Sequence, residues 1–526
     1  MSQIKNSSKT KTPSKNRSII PLPLPPPLQS QLSLLPQSLP PPPPPSQQLQ
    51  LSLSPSKSKS SKMNSTTTIN NKKKSLSLKT RKQRTFKKLV QTINKRNILQ
   101  DICSNSSQCV TFGGENRKLV NRFFNNFITF EFVKYPIRRI GIPSKNGFIH
   151  EITYNKLKYE ACAILKSAVN SEYITDNLAY EYMVGQFINR RVNDYFPCFL
   201  ETYGLFSYKN ESAKETMEQN KEINDIHILK DNLTLENNID YTQMCKKSDN
   251  LCVLIQHIKD AKTIEQIMEV AGGPSFAHFE LIYILFQIYY CLSSLRTVFT
   301  HYDLHGENIL LYKPYSNKYI EFHYHMEDGT TTIFNSQYIP KIIDYGRCFF
   351  NDEQQPTAVK PSDIYKELCK TPECNTNQST CGYIEGFGHL KNKKSYFNDA
   401  KKSNISHDLR LMYYLDPIVN DKNVVAQRLA LRKLQSLLNN VVYGVGLQGH
   451  DKNFGTKENT ADPSPDNKIY NVKNMFDELL KIVNLKKVDS DYQEYIDDKK
   501  FTKGGELHIY PYRTNPINKS TEFIPA

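Results

Sequence analysis

A polar motif lies between two apolar segments in the middle of the chain, and this arrangement narrows the choice of fold more than any other feature. Residues 281–295 are rich in Ile, Leu and Tyr. This stretch is too short to span a bilayer, so it predicts a buried core helix. The polar motif His301-Tyr302-Asp303-Leu304-His305-Gly306-Glu307-Asn308 follows it, and the apolar run 309–312 comes next. The motif is therefore predicted to be a loop between a buried helix and a strand.

The spacing within this motif fits the demands of phosphoryl transfer. That chemistry needs a cation for the phosphates, ligands for Mg²⁺ and an acceptor for the proton of the attacking hydroxyl. The pattern His301-x-Asp303-x4-Asn308 matches a kinase catalytic loop, with Asp303 as the base and Asn308 as a Mg²⁺ ligand. Asp344-Tyr345-Gly346 follows a later apolar strand and offers Asp344 as the second Mg²⁺ ligand. Each motif alone is a weak signal, but together they argue against simple turn residues.

Two upstream residues fit the same chemistry. Lys166 ends the apolar strand pattern at 159–166 and is the candidate that binds the ATP phosphates. Glu181, in a helix predicted at 177–189, is the candidate partner that positions Lys166, with Glu172 as a nearby competitor. Outside this context Lys166 would be interpreted as a solvated lysine at a strand end.

His301 and Asp408 are assigned structural roles. Asp408 lies near the start of a helix predicted at 405–416. It is interpreted as a buried carboxylate that braces the backbone of the catalytic loop. A plain helix N-cap is the alternative.

Residues 127–490 resemble the protein kinase superfamily. Within them, segments 176–182, 196–204 and 341–347 resemble the divergent kinase-like proteins of giant nucleocytoplasmic DNA viruses. The resemblance implies an α+β, bilobal protein-kinase-like fold with a β-rich N-lobe and a helical C-lobe. It also implies an ATP site between the lobes and Mg²⁺ as cofactor. A viral protein that acts inside the host cell, in the cytoplasm, nucleus or virion, is the corresponding expectation.

Several positions depart from the kinase pattern. The loop expected to cover ATP keeps only Gly141 and Gly147, with a wider gap than Gly-x-Gly-x-x-Gly, although its backbone amides remain the candidate phosphate ligands. Tyr302 replaces the usual arginine, which argues against control by a phosphorylated activation loop. His305 replaces the lysine that is usual in serine/threonine kinases. No Ala-Pro-Glu follows Asp344.

A cysteine-containing loop is predicted at 369–389. Cys369, Cys374, Cys381 and His389 offer three sulfurs and one nitrogen, which is a ligand set for tetrahedral Zn²⁺. Their spacing is not that of a standard zinc finger, and chance clustering among eleven cysteines is the alternative. No secretory signal or membrane span is recognised, so reduced thiols in a non-secreted, intracellular protein are expected.

The first 100 residues differ in composition from the rest of the chain. They contain 19 Lys or Arg, no Asp or Glu, and a proline run at 40–45, so they predict a disordered tail. The remainder has 50 basic and 52 acidic residues, so the net charge of +17 arises from the tail. The folded part therefore gives no electrostatic reason to bind nucleic acid. The tail offers proline segments to SH3- or WW-type domains, or positive charge to an acidic partner.

After the tail, the pattern predicts an N-lobe over residues 101–256 and a helical C-lobe over 257–526. Strand patterns at 127–135, 148–154 and 159–166 begin the N-lobe, and the polar segment 209–250 predicts a flexible insertion. A β-hairpin is predicted at 319–343 around Glu327-Asp328-Gly329. Further helices are predicted at 263–271, 276–298, 424–440 and 473–483.

These observations lead to the hypothesis of an ATP- and Mg²⁺-dependent phosphotransferase, a serine/threonine protein kinase with Asp303 as catalytic base. Two alternatives stay open. The wide glycine spacing favours a pseudokinase that binds partners without catalysis. The histidine at position 305 favours an atypical kinase that phosphorylates a small molecule.

Overall fold

The computed structural model describes residues 99–103, 108–144, 147–168, 177–240, 244, 248–269, 273–352, 403–419, 429–441, 468–512 and 519–526. These residues form a seven-stranded antiparallel sheet, three smaller sheets and several helices. The α+β class expected from the sequence is confirmed. None of the described helices is both long and apolar enough to cross a bilayer.

The strands of the described residues follow one another in this order: β1 Val133–Ser144, β2 Gly147–Lys156, β3 Tyr159–Ser167, β4 Thr202–Tyr208, β5 Glu222–Ile223, β6 Leu233–Leu235, β7 Leu251–His257, β8 Lys262–Thr263, β9 Phe299–Thr300, β10 Ile309–Tyr312, β11 Lys318–His325, β12 Thr331–Ser336, β13 Ile339–Ile342, β14 Phe349–Phe350, β15 Thr502–Ile509 and β16 Glu522–Pro525.

The α-helices are α1 Glu115–Phe123, α2 Leu178–Arg191, α3 Glu211–Gln219, α4 Ile228–Asn232, α5 Ile264–Glu269, α6 Gly273–Phe279, α7 Leu281–Leu295, α8 Arg410–Val419, α9 Leu429–Leu438, α10 Val472–Val483 and α11 Lys486–Asp498. Helices predicted at 177–189 and 473–483 are confirmed as α2 and α10. The single helix predicted at 276–298 is instead two helices, α6 and α7, that meet at Glu280.

The large sheet has the strand order β5-β1-β2-β3-β7-β4-β6. Strands β2 and β3 pair over their full length, which confirms the strands predicted at 148–154 and 159–166. A second sheet, β13-β10-β8, joins the strand after the polar motif to the strand that precedes Asp344. A third sheet, β12-β11-β15-β16, contains the one parallel pair between named strands, β11 with β15.

Two hydrophobic cores support these elements. One lies at the large sheet and includes Phe127, Phe148 and Leu165. The other contains most of α2, α7 and α10, and every residue of α7 except Ser294 is buried. The expectation of a buried core helix at 281–295 is therefore confirmed.

The strand predicted at 127–135 does not begin until Val133. Asn125, Asn126, Phe127 and Phe130 have φ angles between 53° and 64°, in the left-handed region. Such a backbone cannot continue a β-ladder. The alternating pattern in this segment arises because Phe127 and Phe130 fill the core beside the sheet.

The expectation of a flexible insertion at 209–250 does not hold for residues 209–240. They form α3, α4 and the edge strands β5 and β6, which pair with β1 and β4. Buried side chains anchor the segment: Ala213, Met217, Ile223, Ile228, Leu229 and Leu233. Its apolar residues are few but regularly placed, so an average over composition underestimates the surface that they bury.

The hairpin predicted at 319–343 is correct over its first part only. Strands β11 and β12 pair antiparallel around the turn at Asp328. The chain then leaves this sheet at Gln337, whose backbone N–H faces the carboxylate of Glu280, and β13 pairs with β10. The second predicted strand is thus divided between two sheets.

Cysteine oxidation departs from the expectation of reduced thiols. Cys103 and Cys109 form a disulfide. The five other cysteines among the described residues are free and buried.

A pH dependence of stability follows from His150, which is fully buried on β2 with Nε2 3.4 Å from the carbonyl oxygen of Asn220. Burial lowers the pKa of His150 to about 4, and the contact with Asn220 only partly offsets this. Because the unfolded-state pKa is about 6.5, the unfolded chain binds more protons between pH 6.5 and 4. The wild type should therefore lose about 2–3 kcal/mol relative to His150→Gln between pH 7 and pH 4 in urea unfolding. A difference that stays constant over this range would contradict the assignment.

Candidate active site

Three residues predicted to act together are in direct contact. Nζ of Lys166 lies 2.7 Å from Oε2 of Glu181 and 3.1 Å from Oδ1 of Asp344. The side chain of Glu181 is almost completely buried, whereas 32% of the Asp344 side chain is exposed. One ammonium group therefore connects an almost completely buried carboxylate to one that is only partly open to solvent.

The elements that carry this cluster explain its position. Lys166 lies on β3, near the middle of the large sheet. Asn177 caps helix α2, because its Oδ1 accepts hydrogen bonds from the backbone N–H groups of Ala179 and Tyr180. Glu181 lies in the first turn of this capped helix. The attraction between Lys166 and Glu181 is strengthened because little water reaches it.

Asp344 follows β13 with a φ angle of 66°, which turns the chain away from the sheet. The next residue, Tyr345, is buried and fixes this turn. Its hydroxyl donates to the carbonyl oxygen of Ile342 at 2.9 Å and accepts from the backbone N–H of Leu200 at 3.0 Å. Tyrosine at this position therefore combines aromatic packing against Phe199 with two hydrogen bonds to the backbone.

The carboxyl of Asp344 is strongly acidic. Burial by itself would raise its pKa, but the positive charges of Lys166 and Arg347 outweigh this and lower the pKa to about 2. Asp344 is therefore ionised at neutral pH and can serve as a ligand for a divalent cation.

Asp408 holds the backbone of the polar motif. Its Oδ2 accepts the N–H of His301 at 2.8 Å, and its Oδ1 accepts the N–H of Tyr302 at 3.1 Å. No side chain caps the short 3-10 helix His407–Leu409 that contains Asp408. These contacts are those of the bracing interpretation and not those of an N-cap.

His301 links the motif to the strand before Asp344. Its Nε2 lies 2.9 Å from the carbonyl oxygen of Ile343, and its Nδ1 lies 3.3 Å from the backbone nitrogen of Asp303. A carbonyl accepts only, so Nε2 carries the proton and Nδ1 accepts the N–H of Asp303. The structural role assigned to His301 has this physical basis.

Asn308 lies where β10 and β13 begin to pair. Its side-chain Nδ2 donates a hydrogen bond to the backbone carbonyl oxygen of Asp303 at 2.8 Å. Its backbone carbonyl oxygen accepts a hydrogen bond from the backbone N–H of Ile343 at 3.1 Å. The amide oxygen of Asn308 is then the side-chain atom that can act as a metal ligand. This backbone contact places Asn308 opposite Ile343, the residue that precedes Asp344, so strand pairing brings the two residues expected to bind Mg²⁺ to the same end of the small sheet.

Arg347 is part of the site although the sequence analysis assigned it no role. Its guanidinium is buried, and Nη1 lies 3.3 Å from Oδ2 of Asp303. Its position three residues after Asp344 is the sequence feature that could have indicated a role in the site. The predicted base is therefore in an ion pair within this structure.

The two glycines of the expected phosphate loop lie at the hairpin between β1 and β2. Gly141 has a φ angle of 70°, and a Cβ atom added there would have no neighbouring atom within 4 Å. The left-handed backbone conformation, and not lack of space, therefore favours glycine at this position. Gly147 is packed differently, because an added Cβ would lie 2.0 Å from the carbonyl oxygen of Ser167. This close approach of the backbone explains why position 147 requires glycine without reference to a ligand. Contact of either glycine with ATP stays a prediction.

The two unusual residues of the motif are packed inside the fold. Tyr302 is buried and its ring lies 4.7 Å from the ring of His407. The ring of His305 lies 5.8 Å from that of Tyr414 on α8. Both side chains therefore help to attach the motif to the helical part of the protein.

Other predictions lie outside the described residues. These are the disordered tail before residue 99, the competitor Glu172, and the zinc ligands Cys369, Cys374, Cys381 and His389. Comparison with known proteins adds no assignment, since neither a scan against protein-family models nor a search of curated proteins finds a match.

Proposed function

We propose that this chain is an ATP- and Mg²⁺-dependent phosphotransferase with a bilobal protein-kinase-like fold, and that it phosphorylates serine or threonine in proteins. The observation that carries the proposal is the double contact of Lys166 with Glu181 and Asp344. It is supported by the adjacent loop that presents Asp303 and Asn308 and is braced by Asp408.

The donor atoms fit the proposed ligands. Mg²⁺ prefers oxygen ligands in an octahedral arrangement, and one or two carboxylates with water and phosphate usually complete its shell. The Asp344 carboxylate and the amide oxygen of Asn308 are such ligands. Bound ATP with Mg²⁺ would supply the transferable phosphoryl group.

Each residue of the chain then has a defined task. Lys166, held by Glu181, binds phosphate oxygens through its ammonium group. Asp344 and Asn308 bind the cation. Asp303 orients the acceptor hydroxyl and takes its proton, once its carboxylate is directed away from Arg347. The catalytic effect comes mainly from positioning and charge, as in other phosphoryl transfers.

A pseudokinase that binds partners without catalysis is the second candidate. Two observations favour it: the ion pair between Asp303 and Arg347, and the reduced glycine loop with Gly141 and Gly147. A resident ion pair lowers the availability of Asp303 as a base. This candidate shares the fold but predicts no transfer of phosphate. For either candidate, we infer from the resemblance noted above a viral protein that acts inside the host cell.

Nucleotide binding tests the first candidate. ATP with Mg²⁺ should raise the melting temperature of the wild type, because a ligand at 100 times its Kd stabilises the folded state by about 2.7 kcal/mol. Asp344→Ala should abolish the Mg²⁺-dependent part of this rise, since it removes a metal ligand. Asp498→Ala, an exposed change at the end of α11, is the matched control and should leave the rise unchanged. A wild-type melting temperature that does not respond to millimolar ATP and Mg²⁺ would contradict the proposal and favour the pseudokinase that binds partners without catalysis.

A further inference from the structure

A group of histidines and glutamates lies on strands β11 and β15, outside the proposed phosphotransfer site. The parallel register places Glu321 opposite Glu506 and His323 opposite His508. Side chains alternate along a strand, so Glu321 and His323 share a face of β11 while Glu506 and His508 share a face of β15. Two strands that are far apart in the sequence therefore bring nitrogen and oxygen ligands together.

The distances within this group are close to those of a metal site. Oε2 of Glu506 lies 3.4 Å from Nε2 of His508 and 4.0 Å from Nε2 of His323. One ligand atom from each of these three residues lies within 4.8 Å of the other two. Tetrahedral zinc with ligands at about 2.0–2.2 Å needs neighbouring ligand atoms about 3.3 Å apart. The separation between Glu506 and His508 is already close to this value, and the separation between Glu506 and His323 is about 0.7 Å longer.

Surrounding contacts orient these ligands. Nζ of Lys503 lies 2.6 Å from Oε1 of Glu506, which directs the second oxygen of Glu506 toward the imidazoles. Nδ1 of His508 lies 3.1 Å from Nε2 of His325, and this contact holds the ring of His508. Nε2 of His323 donates a hydrogen bond to Oε1 of Glu321 at 2.7 Å, so a bound ion takes the place of this proton, and the Glu321 carboxylate stays beside it as a further negative charge.

One buried nitrogen of the group, Nε2 of His508, lacks a well-formed hydrogen bond. Nε2 of His508 is shielded from water, and its 3.4 Å contact with Oε2 of Glu506 does not have the geometry of a hydrogen bond. A buried polar atom in this state costs free energy. A cation between His508, His323 and Glu506 would give this nitrogen a partner.

We propose that His323, His508 and Glu506 form a zinc site that joins β15 to β11. Two imidazoles and a carboxylate suit Zn²⁺, whereas Mg²⁺ and Ca²⁺ prefer oxygen ligands alone. All three side chains are partly exposed, so the ion can enter from solvent. The site uses none of the residues of the predicted cysteine cluster and none of those of the proposed phosphotransfer.

The test uses the full chain in a Cys374→Ser background, which weakens the predicted cysteine site. Zn²⁺ affinity is measured by competition with a chromophoric chelator, and Co²⁺ serves as a spectroscopic probe. The Cys374→Ser protein should bind one equivalent of Zn²⁺, and His323→Asn and Glu506→Gln should each lower the affinity more than about 100-fold. His227→Asn, a change at an exposed histidine, is the matched control and should leave the affinity unchanged. Bound Co²⁺ should show visible ligand-field bands without a thiolate charge-transfer band.

Two results would overturn the proposal. One is a Zn²⁺ affinity that both His323→Asn and Glu506→Gln leave within twofold of their background. The other is a Cys374→Ser protein that binds no Zn²⁺ at all. Melting curves recorded without metal separate loss of a ligand from loss of the fold, because Glu506→Gln conserves the shape of the side chain.

Discussion

Replacement of Asp303 by asparagine should lower the rate of phosphoryl transfer by about 10²–10⁴-fold, the usual contribution of a positioned general base. Asparagine keeps the size of the side chain but cannot take the proton of the acceptor. The Lys166–Glu181–Asp344 cluster does not include Asp303, so the stabilisation by ATP and Mg²⁺ should persist. The rate is measured as transfer of labelled phosphate from ATP to basic proteins and, separately, to small hydroxyl compounds.

The control for this experiment is the melting temperature of Asp303→Asn. Loss of the carboxylate leaves the buried guanidinium of Arg347 without one charged partner, so some loss of stability is expected. If Asp303→Asn is folded, responds to ATP and retains the wild-type rate, Asp303 is not the base. Transfer to small hydroxyl compounds but not to proteins would identify the atypical small-molecule kinase.

Replacement of Asp408 by alanine should give a large loss of stability. The backbone N–H groups of His301 and Tyr302 would both lose their acceptor in a buried environment. An unsatisfied buried group costs about 1–3 kcal/mol, so the loss of both acceptors should lower the free energy of unfolding by about 2–6 kcal/mol. Chemical denaturation followed by circular dichroism measures this change.

Asp408→Asn is the matched variant, because its single amide oxygen can still accept one of the two hydrogen bonds. It should therefore lie between the wild type and Asp408→Ala in stability. If Asp408→Ala were as stable as the wild type, the prediction would be wrong, because the loop would then not depend on this carboxylate.

Local sequence patterns were enough to predict the main elements of the site. The apolar strand that ends at Lys166, the helix that contains Glu181 and the spacing from His301 to Asn308 are all short-range features. Their physical causes are strand alternation, helix capping and turn chemistry, which act over a few residues. The contact of Lys166 with Glu181 is the pairing that the sequence predicted, whereas the contact of Lys166 with Asp344 was not part of the prediction.

Contacts between distant segments were harder to predict. Nothing within the segment that contains Arg347 indicates that its side chain would pair with Asp303, because that contact depends on the pairing of β10 with β13. The bracing role of Asp408 could not be separated from an N-cap for the same reason. The zinc proposal also depends on long-range pairing, since His323 and His508 are neighbours only through the β11–β15 register.

Composition was misleading where few apolar residues do the packing. The polar segment after β4 has the composition of a flexible linker, yet Met217 and Leu229 are completely buried. Position within a helix or strand, and not average polarity, decides whether such a segment orders.

The parallel pairing of β11 with β15 has a consequence for how the chain matures during synthesis. Lys318 on β11 pairs with Thr502 on β15, which is synthesised more than 180 residues later. One edge of β11 therefore has no partner until β15 has been synthesised and has left the ribosome. An open strand edge is a template for pairing with other chains, and contacts over so long a sequence separation form slowly. The C-terminal strands therefore complete the protein late, and premature termination before β15 would leave an aggregation-prone nascent chain.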